Sequence, residues 1–109
     1  MQIRELDLKE LFKAYKIISQ LRVKLSYKEF EDLIYDMRYM NYKMLAIIEA
    51  DEVISYAGVA ILTTLEHKRH LKVFDFVSDK NQDVAKYDAI MLEYLNDYAK
   101  IGMCQKVVF

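Results

Sequence analysis

Apolar and polar positions change period along this chain, and the changes divide it into a series of elements. Ile3 and Glu5 alternate within Gln2–Leu6, which predicts a short strand stopping at Asp7. Asp7 with Glu10 three residues on has the spacing of a capping box, in which a short side chain takes an orphan amide and an acid reaches back. From Leu8 to Val23, the residues Leu11, Phe12, Tyr15, Ile18 and Leu21–Arg22 share one side at helical spacing. Ser26 and Glu29 repeat the capping signal before a second helix, with Phe30, Leu33, Ile34, Met37 and Met40 as its apolar stripe.

From Tyr42 onward the pattern becomes that of strands. Met44–Glu49 and Val53–Thr64 are rich in β-branched and aromatic residues and are separated by a turn at Asp51–Glu52 that lacks the Asn-Gly signature. The polar cluster Glu66–His70 closes the second strand, and a third runs from Leu71 through Val77. Beyond Ser78–Gln82, the spacing of Val84, Tyr87, Met91, Tyr94, Leu95, Tyr98 and Ile101 predicts a long helix, with Gly102 as its C′ residue. Lys106–Phe109 reads as a last strand. The order β-α-α-β-β-β-α-β predicts an α/β (α+β) fold, a mixed and mainly antiparallel sheet flanked by helices, with residues 1–109 as one domain.

Composition narrows the chemistry. The only glycines, Gly58 and Gly102, lie too far apart to write a G-x-G-x-x-G or Walker loop, and there is no proline. A net charge of −1, with basic residues spread among acidic ones, predicts no nucleic-acid partner. Cys104 is the only cysteine, so neither an intrachain disulfide nor a thiolate zinc site can form; it reads as a small buried hydrophobe. Glu66, His67 and His70 bring metal to mind, but a spacing of three does not put both rings on one face of a strand. They read as a solvated basic turn, with no metal site. The longest uninterrupted apolar run, Met44–Ile48, is far short of the roughly 20 residues of a membrane span. The first residues also lack the apolar core of a signal peptide, so no membrane association and a cytoplasmic location are expected. The nine tyrosines and six methionines fall largely at core spacing and read as packing.

Three segments resemble the GNAT superfamily of acetyl-CoA-dependent N-acetyltransferases. Gln20-Leu21-Arg22, then Leu25-Ser26 and Glu29-Phe30, resemble a subgroup whose first two helices carry a "QLR..L" segment. Tyr42–Ala46, Val53 and Ala57-Gly58 resemble that subgroup's central hairpin. Phe74-Asp75-Phe76-Val77-Ser78-Asp79, then Met91–Leu95 and Ala99-Lys100, resemble its cofactor strand and helix, "DLVTD" and "LLEYL..AK". The resemblance implies transfer of an acetyl group from acetyl-CoA to an amine. It also implies Asp75 as the acid that relays the amine's proton, and the backbone of Phe76, Val77 and Ser78 as the edge that pairs with the pantetheine arm.

Two departures shape the expectation. The family's R/Q-x-x-G-x-G/A loop, whose amides hold the cofactor pyrophosphate, falls here on Asp83-Val84-Ala85-Lys86-Tyr87-Asp88. Asp83 replaces the arginine, and Lys86 and Asp88 replace the glycines. At roughly 6 Å and an effective dielectric near 20, each carboxylate facing the polyanion costs on the order of 1–3 kcal/mol. The expectation is a loop that caps itself and binds acetyl-CoA weakly or not at all. The family also continues, past the strand matched by Lys106–Phe109, into a further helix and hairpin that carry a thiolate-protonating tyrosine; no residue here matches it. The apolar last strand would then be an open sheet edge, predicting a homodimer through that edge. The alternative to an enzyme is a non-catalytic, degenerate acetyltransferase domain acting in protein association.

Overall fold

The computed structural model describes residues 1–109. Strand β1 is Gln2–Glu5, helix α1 Leu11–Leu21, helix α2 Tyr27–Met37, β2 Lys43–Glu49, β3 Glu52–Thr64, β4 Lys68–Ser78, α3 Val84–Ile101 and β5 Val107–Val108. One five-stranded sheet has the order β1-β2-β3-β4-β5, antiparallel throughout except that β5 runs parallel to β4. The β-α-α-β-β-β-α-β order and the mixed, mainly antiparallel sheet are as the pattern predicts.

The uninterrupted run Met44–Ile48 is explained by helices on both faces of the sheet, since a doubly covered strand has no solvent side to keep polar. Met44, Ala46 and Ile48 face α1 and α2, meeting Ile17, Ile18, Phe30 and Ile34. Leu45 and Ile47 face α3, meeting Met91, Leu95 and Ala99. No helix is long and apolar enough to cross a membrane.

Both predicted capping boxes form. The Asp7 carboxylate accepts from the Lys9 amide at 2.8 Å and Glu10 accepts from the Asp7 amide at 3.1 Å. The Ser26 hydroxyl accepts from the Glu29 amide at 3.1 Å, and Glu29 reaches back to the Ser26 amide at 3.2 Å. Arg4 also grips Glu10 through two bonds of 2.8 and 2.7 Å. That grip holds the Glu10 carboxyl down at about 2.

Several expectations are corrected. The first helix opens with a 3-10 turn at Leu8–Glu10 and ends at Leu21; its buried residues are Leu11, Ala14, Ile17 and Ile18. Phe12 is 58% exposed, because α1 turns only a narrow stripe to the sheet, and its ring meets Tyr27 edge-on. The hairpin turn lies at Ala50–Asp51, not Asp51–Glu52. Both residues have positive φ, 51° and 64°, the type I′ geometry that matches strand twist. At the end of α3, Gly102 is the C-cap with an ordinary φ of −79°, and Met103 takes the left-handed conformation instead. Strand β4 begins at Lys68, three residues early, which moves His70 into the sheet: it is 2% exposed and its Nδ1 lies 2.9 Å from the Lys68 carbonyl. His67 packs its ring 5.2 Å from that of His70, so the two rings do meet, and the pair is not a solvated turn. Cys104 is only partly buried. Tyr35, Tyr39, Met40 and Met103 are exposed rather than packed.

Two bulges re-aim the sheet. Ile47 pairs with Ser55 but Ile48 with Val53, leaving Ile54 as the extra residue of β3. Gly58 pairs with Asp75 but Val59 with Val73, leaving Phe74 as the extra residue of β4. A bulge bends its strand and increases local twist. Strand β5 pairs with β4 only at Leu71 and Lys72, before the bulge, so the edge from Val73 to Ser78 has no strand partner.

Candidate active site

The β4 bulge carries the candidate chemistry. Left-handed Asn41 ends the turn after α2 and swings Tyr42 in beneath that helix, where its ring lies across Gly58 of β3. A Cβ on Gly58 would stand 1.6 Å from the Tyr42 hydroxyl, so this strand position admits only glycine. Gly58 faces Asp75 across the ladder, and the Tyr42 hydroxyl donates to Asp75 Oδ2 at 2.7 Å. The Tyr56 hydroxyl, fully buried, lies 3.0 Å from that of Tyr42. A phenol has one proton, and that of Tyr42 goes to Asp75, so Tyr56 donates to Tyr42. Arg22, just past α1, donates to Asp75 Oδ1 from Nη2 at 2.9 Å and Nε at 3.2 Å, and to the Phe74 carbonyl at 3.3 Å.

Burial pushes both phenols well above their ordinary pKa, with the neighbouring Asp75 charge adding to the effect. Both remain neutral donors. The result is a chain, Tyr56 to Tyr42 to Asp75, whose carboxylate is backed by a guanidinium. Beside it lies a cavity of about 530 Å³ between α1, α2 and β4, lined mainly by apolar side chains with Arg22, Tyr42 and Asp75 in its wall. Asp75 and Tyr42 are the polar groups that the sheet presents to this cavity.

The unpartnered edge of β4 continues from Asp75. The Asp79 amide donates to the Ile54 carbonyl at 2.9 Å, which fixes the alternation of the ladder. Val77, like Asp79, then bonds toward β3, while Phe76 and Ser78 turn their amides and carbonyls to the open side. The ring of Phe76 meets that of Phe109 at 5.6 Å.

At the start of α3, the Asp83 carboxylate caps the Lys86 amide at 3.1 Å. Asp88 does not face the open helix end: it accepts from the Ser78 hydroxyl at 2.7 Å, and Ser78 lies 2.9 Å from Ser55. Tyr87 enters the core and donates to Glu49 at 2.7 Å, which raises its pKa. Val84, Ala85 and Lys86 are exposed along the first turn. The preceding loop is pinned from α1 by Gln20, which donates to Asp79 at 3.3 Å and accepts from the Lys80 amide at 3.0 Å.

Asp75 and the Phe76–Ser78 edge are thus adjacent in space, and Asp83–Asp88 begins α3 one loop further on. The reading of the residues missed the Tyr42–Tyr56 chain and the parts played by Gln20 and Arg22. A signal existed: a glycine inside an otherwise bulky β-branched strand marks a close approach, here by Tyr42.

A five-stranded, mostly antiparallel sheet flanked by three helices is the fold of the GNAT acetyltransferases, and this chain has it. Its structure is similar to glucosamine-6-phosphate N-acetyltransferase from Arabidopsis thaliana, with a TM-score of 0.77 at 20% identity over 98% of this chain and 79% of that one. It is also similar to a GNAT family acetyltransferase from Staphylococcus aureus, with a TM-score of 0.79 at 16% identity over 98% of this chain and 83% of that one. A third likeness, to ribosomal-protein-alanine N-acetyltransferase from Brucella melitensis, has a TM-score of 0.82 at 13% identity and covers 98% of this chain and 77% of the other. No protein-family model matches the chain, and no curated protein sequence does either.

Proposed function

We propose that the protein transfers an acetyl group from acetyl-CoA to an amine, with weak affinity for the cofactor. One observation carries this reading: Asp75, fixed by Arg22 and Tyr42, stands where the cavity between α1 and α2 meets the open edge of β4. Acetyl-CoA supplies a thioester carbon open to attack by nitrogen. The outward backbone groups of Phe76 and Ser78, with Val77 holding the strand to β3, suit the amide-bearing pantetheine arm. An amine in the cavity presents its proton to Asp75, directly or through one water, as general-base transfer requires. Tyr42, itself bonded by Tyr56, keeps that carboxylate hydrogen-bonded. As nitrogen bonds to the acetyl carbon the carbon–sulfur bond breaks; the amine proton passes to Asp75 and the leaving thiolate is protonated by solvent.

The anionic end of the cofactor falls to the exposed first turn of α3, Val84, Ala85 and Lys86 beside Asp83, since Tyr87 turns into the core and Asp88 is held by Ser78. The Lys86 amide is already taken by Asp83, and that internal cap is why binding is weak. The same observation favours a second reading, a non-catalytic domain used in association, with the unpaired outer edge of β5 offering a place for a second copy.

Thermal unfolding with increasing acetyl-CoA separates the two. A cofactor at 100 times its dissociation constant adds about 2.7 kcal/mol, several degrees for a domain of this size. A saturable shift, with Asp75→Asn lowering acetyl transfer about 100-fold or more while the shift persists, supports the enzyme. No shift at millimolar acetyl-CoA removes it and leaves the association reading, which sedimentation as a dimer would support and sedimentation as a monomer at tens of micromolar would remove.

A further inference from the structure

We propose that the cavity between α1 and α2 accepts a small primary monoamine with an apolar tail. The inference rests on the acetyl-transfer reading for the fate of the amine, and on the cavity itself for the amine's chemistry. The floor is apolar and buried: Ile18, Phe30 and Ile34. Above it, Val23 is 78% exposed and Leu33 46%, although both line the same cavity. The helical spacing of Leu33 predicts a core position, but it is left half-exposed on the cavity wall. A volume of about 530 Å³ suits a small organic molecule rather than a chain segment.

The polar groups of the wall restrict the ligand further. Arg22, Tyr42 and Asp75 are bonded to one another, so they form a single polar spot. Within that spot Arg22 has no acceptor and the Tyr42 oxygen already accepts from Tyr56, so the Asp75 carboxylate is the acceptor an ammonium meets. Glu29, at the exposed rim, spends Oε1 on the Ser26 amide. Lys24 lines the cavity too and disfavours a ligand with a second positive charge. A sugar amine or a polyamine would leave its hydroxyl or ammonium groups against Ile18, Phe30 and Leu33 without partners, a penalty an alkyl or aryl tail does not meet.

The amide resonances of the protein, titrated with n-butylamine, n-hexylamine and n-octylamine without acetyl-CoA, test this. Shifts are expected at Ile18, Phe30 and Leu33, with affinity rising about fourfold per methylene while the tail still lies within the cavity. Alcohols of equal length are expected to bind at least about tenfold more weakly, because they lack the charge that pairs with Asp75. Leu33→Glu, at an exposed position that leaves the core intact, is expected to flatten the dependence on chain length. A flat series in the unaltered protein, equal binding of the alcohols, or tighter binding of spermidine or glucosamine 6-phosphate would each overturn the inference. Acetylation assays with acetyl-CoA separate the two proposals. Chain-length-dependent binding without transfer upholds the amine class and removes the enzymatic reading. Transfer to spermidine or glucosamine 6-phosphate, with no dependence on tail length among the alkylamines, does the reverse.

Discussion

The two faces of the sheet solve the same covering problem differently. On one face a single helix, α3, lays Met91, Leu95 and Ala99 against Leu45, Ile47, Val59 and Leu71, and its polar contacts, Asp88 to Ser78 and Tyr87 to Glu49, are confined to its first turns. On the other, two shorter helices share the work. A cavity stays open between them and β4, and the layer beneath includes two phenols and a carboxylate, Tyr42, Tyr56 and Asp75. Each polar atom there has a partner, which is the condition for keeping such groups at depth. The comparison teaches that one face of this fold is filled by its own helix while the other keeps an open cavity with a polar wall.

The largest test of that contrast is Leu95→Ala against Leu33→Ala. Leu95 is fully buried under α3, so its truncation is expected to lower stability by about 2–5 kcal/mol in a urea titration. At Leu33, on the exposed cavity wall, the loss is expected to stay within about 0.5–1 kcal/mol. Equal losses would erase the distinction between the faces.

Gly58→Ala comes next. The new Cβ collides with the Tyr42 hydroxyl, and the expected loss is about 2–3 kcal/mol together with a changed near-ultraviolet tyrosine signal. An unaltered tyrosine signal would mean that Tyr42 is not held as described.

Acid titration sharpens the comparison at the junction of β1 and α1. The Glu10 carboxyl sits at about 2 in the folded protein, against about 4.5 when free, because Arg4 hydrogen-bonds it. A depressed folded pKa contributes stability that is whole above about pH 5 and disappears as pH falls toward 2. With Arg4 solvated, the contribution stays at the upper end of exposed ion pairs, about 1 kcal/mol. Glu10→Gln is expected to flatten the stability profile between pH 5 and 2; a profile unchanged by the substitution would deny the ion pair that role.

The smallest effect has two opposite signs. Asp83→Ala removes the cap of α3 and is expected to cost about 1 kcal/mol of stability. The same change frees the Lys86 amide and removes a negative charge, so acetyl-CoA is expected to bind about fivefold to tenfold more tightly by calorimetry. Weaker binding would show that Asp83 assists the cofactor rather than displacing it.

Local features were legible. The pairs Asp7/Glu10 and Ser26/Glu29 could be read because a capping box lies within one turn. The hairpin between β2 and β3 was legible as a reversal but misplaced by one residue, since Ala50 gives no sign that it takes a positive φ. His67 and His70 were misread for a related reason: the start of β4 is set by its pairing with Thr64, not by the polarity of the residues themselves. Asp75 was singled out through its resemblance to the family's cofactor strand. Its partner Arg22 lies 53 positions away, and no period or spacing connects the two.

The sequence by itself determined the order and type of the elements, because helical and strand periods, caps and turn residues act over a few neighbours. It also determined that the central strands are covered on both faces, since Met44–Ile48 leaves no polar side. Tertiary structure alone decided that Phe74 bulges and that Gly58 yields its space to Tyr42. It also decided that a cavity stays open between α1, α2 and β4. Those outcomes depend on registers between strands and on the volumes of side chains that meet only after the chain has folded, and they convert a tyrosine, an arginine and an aspartate into one site.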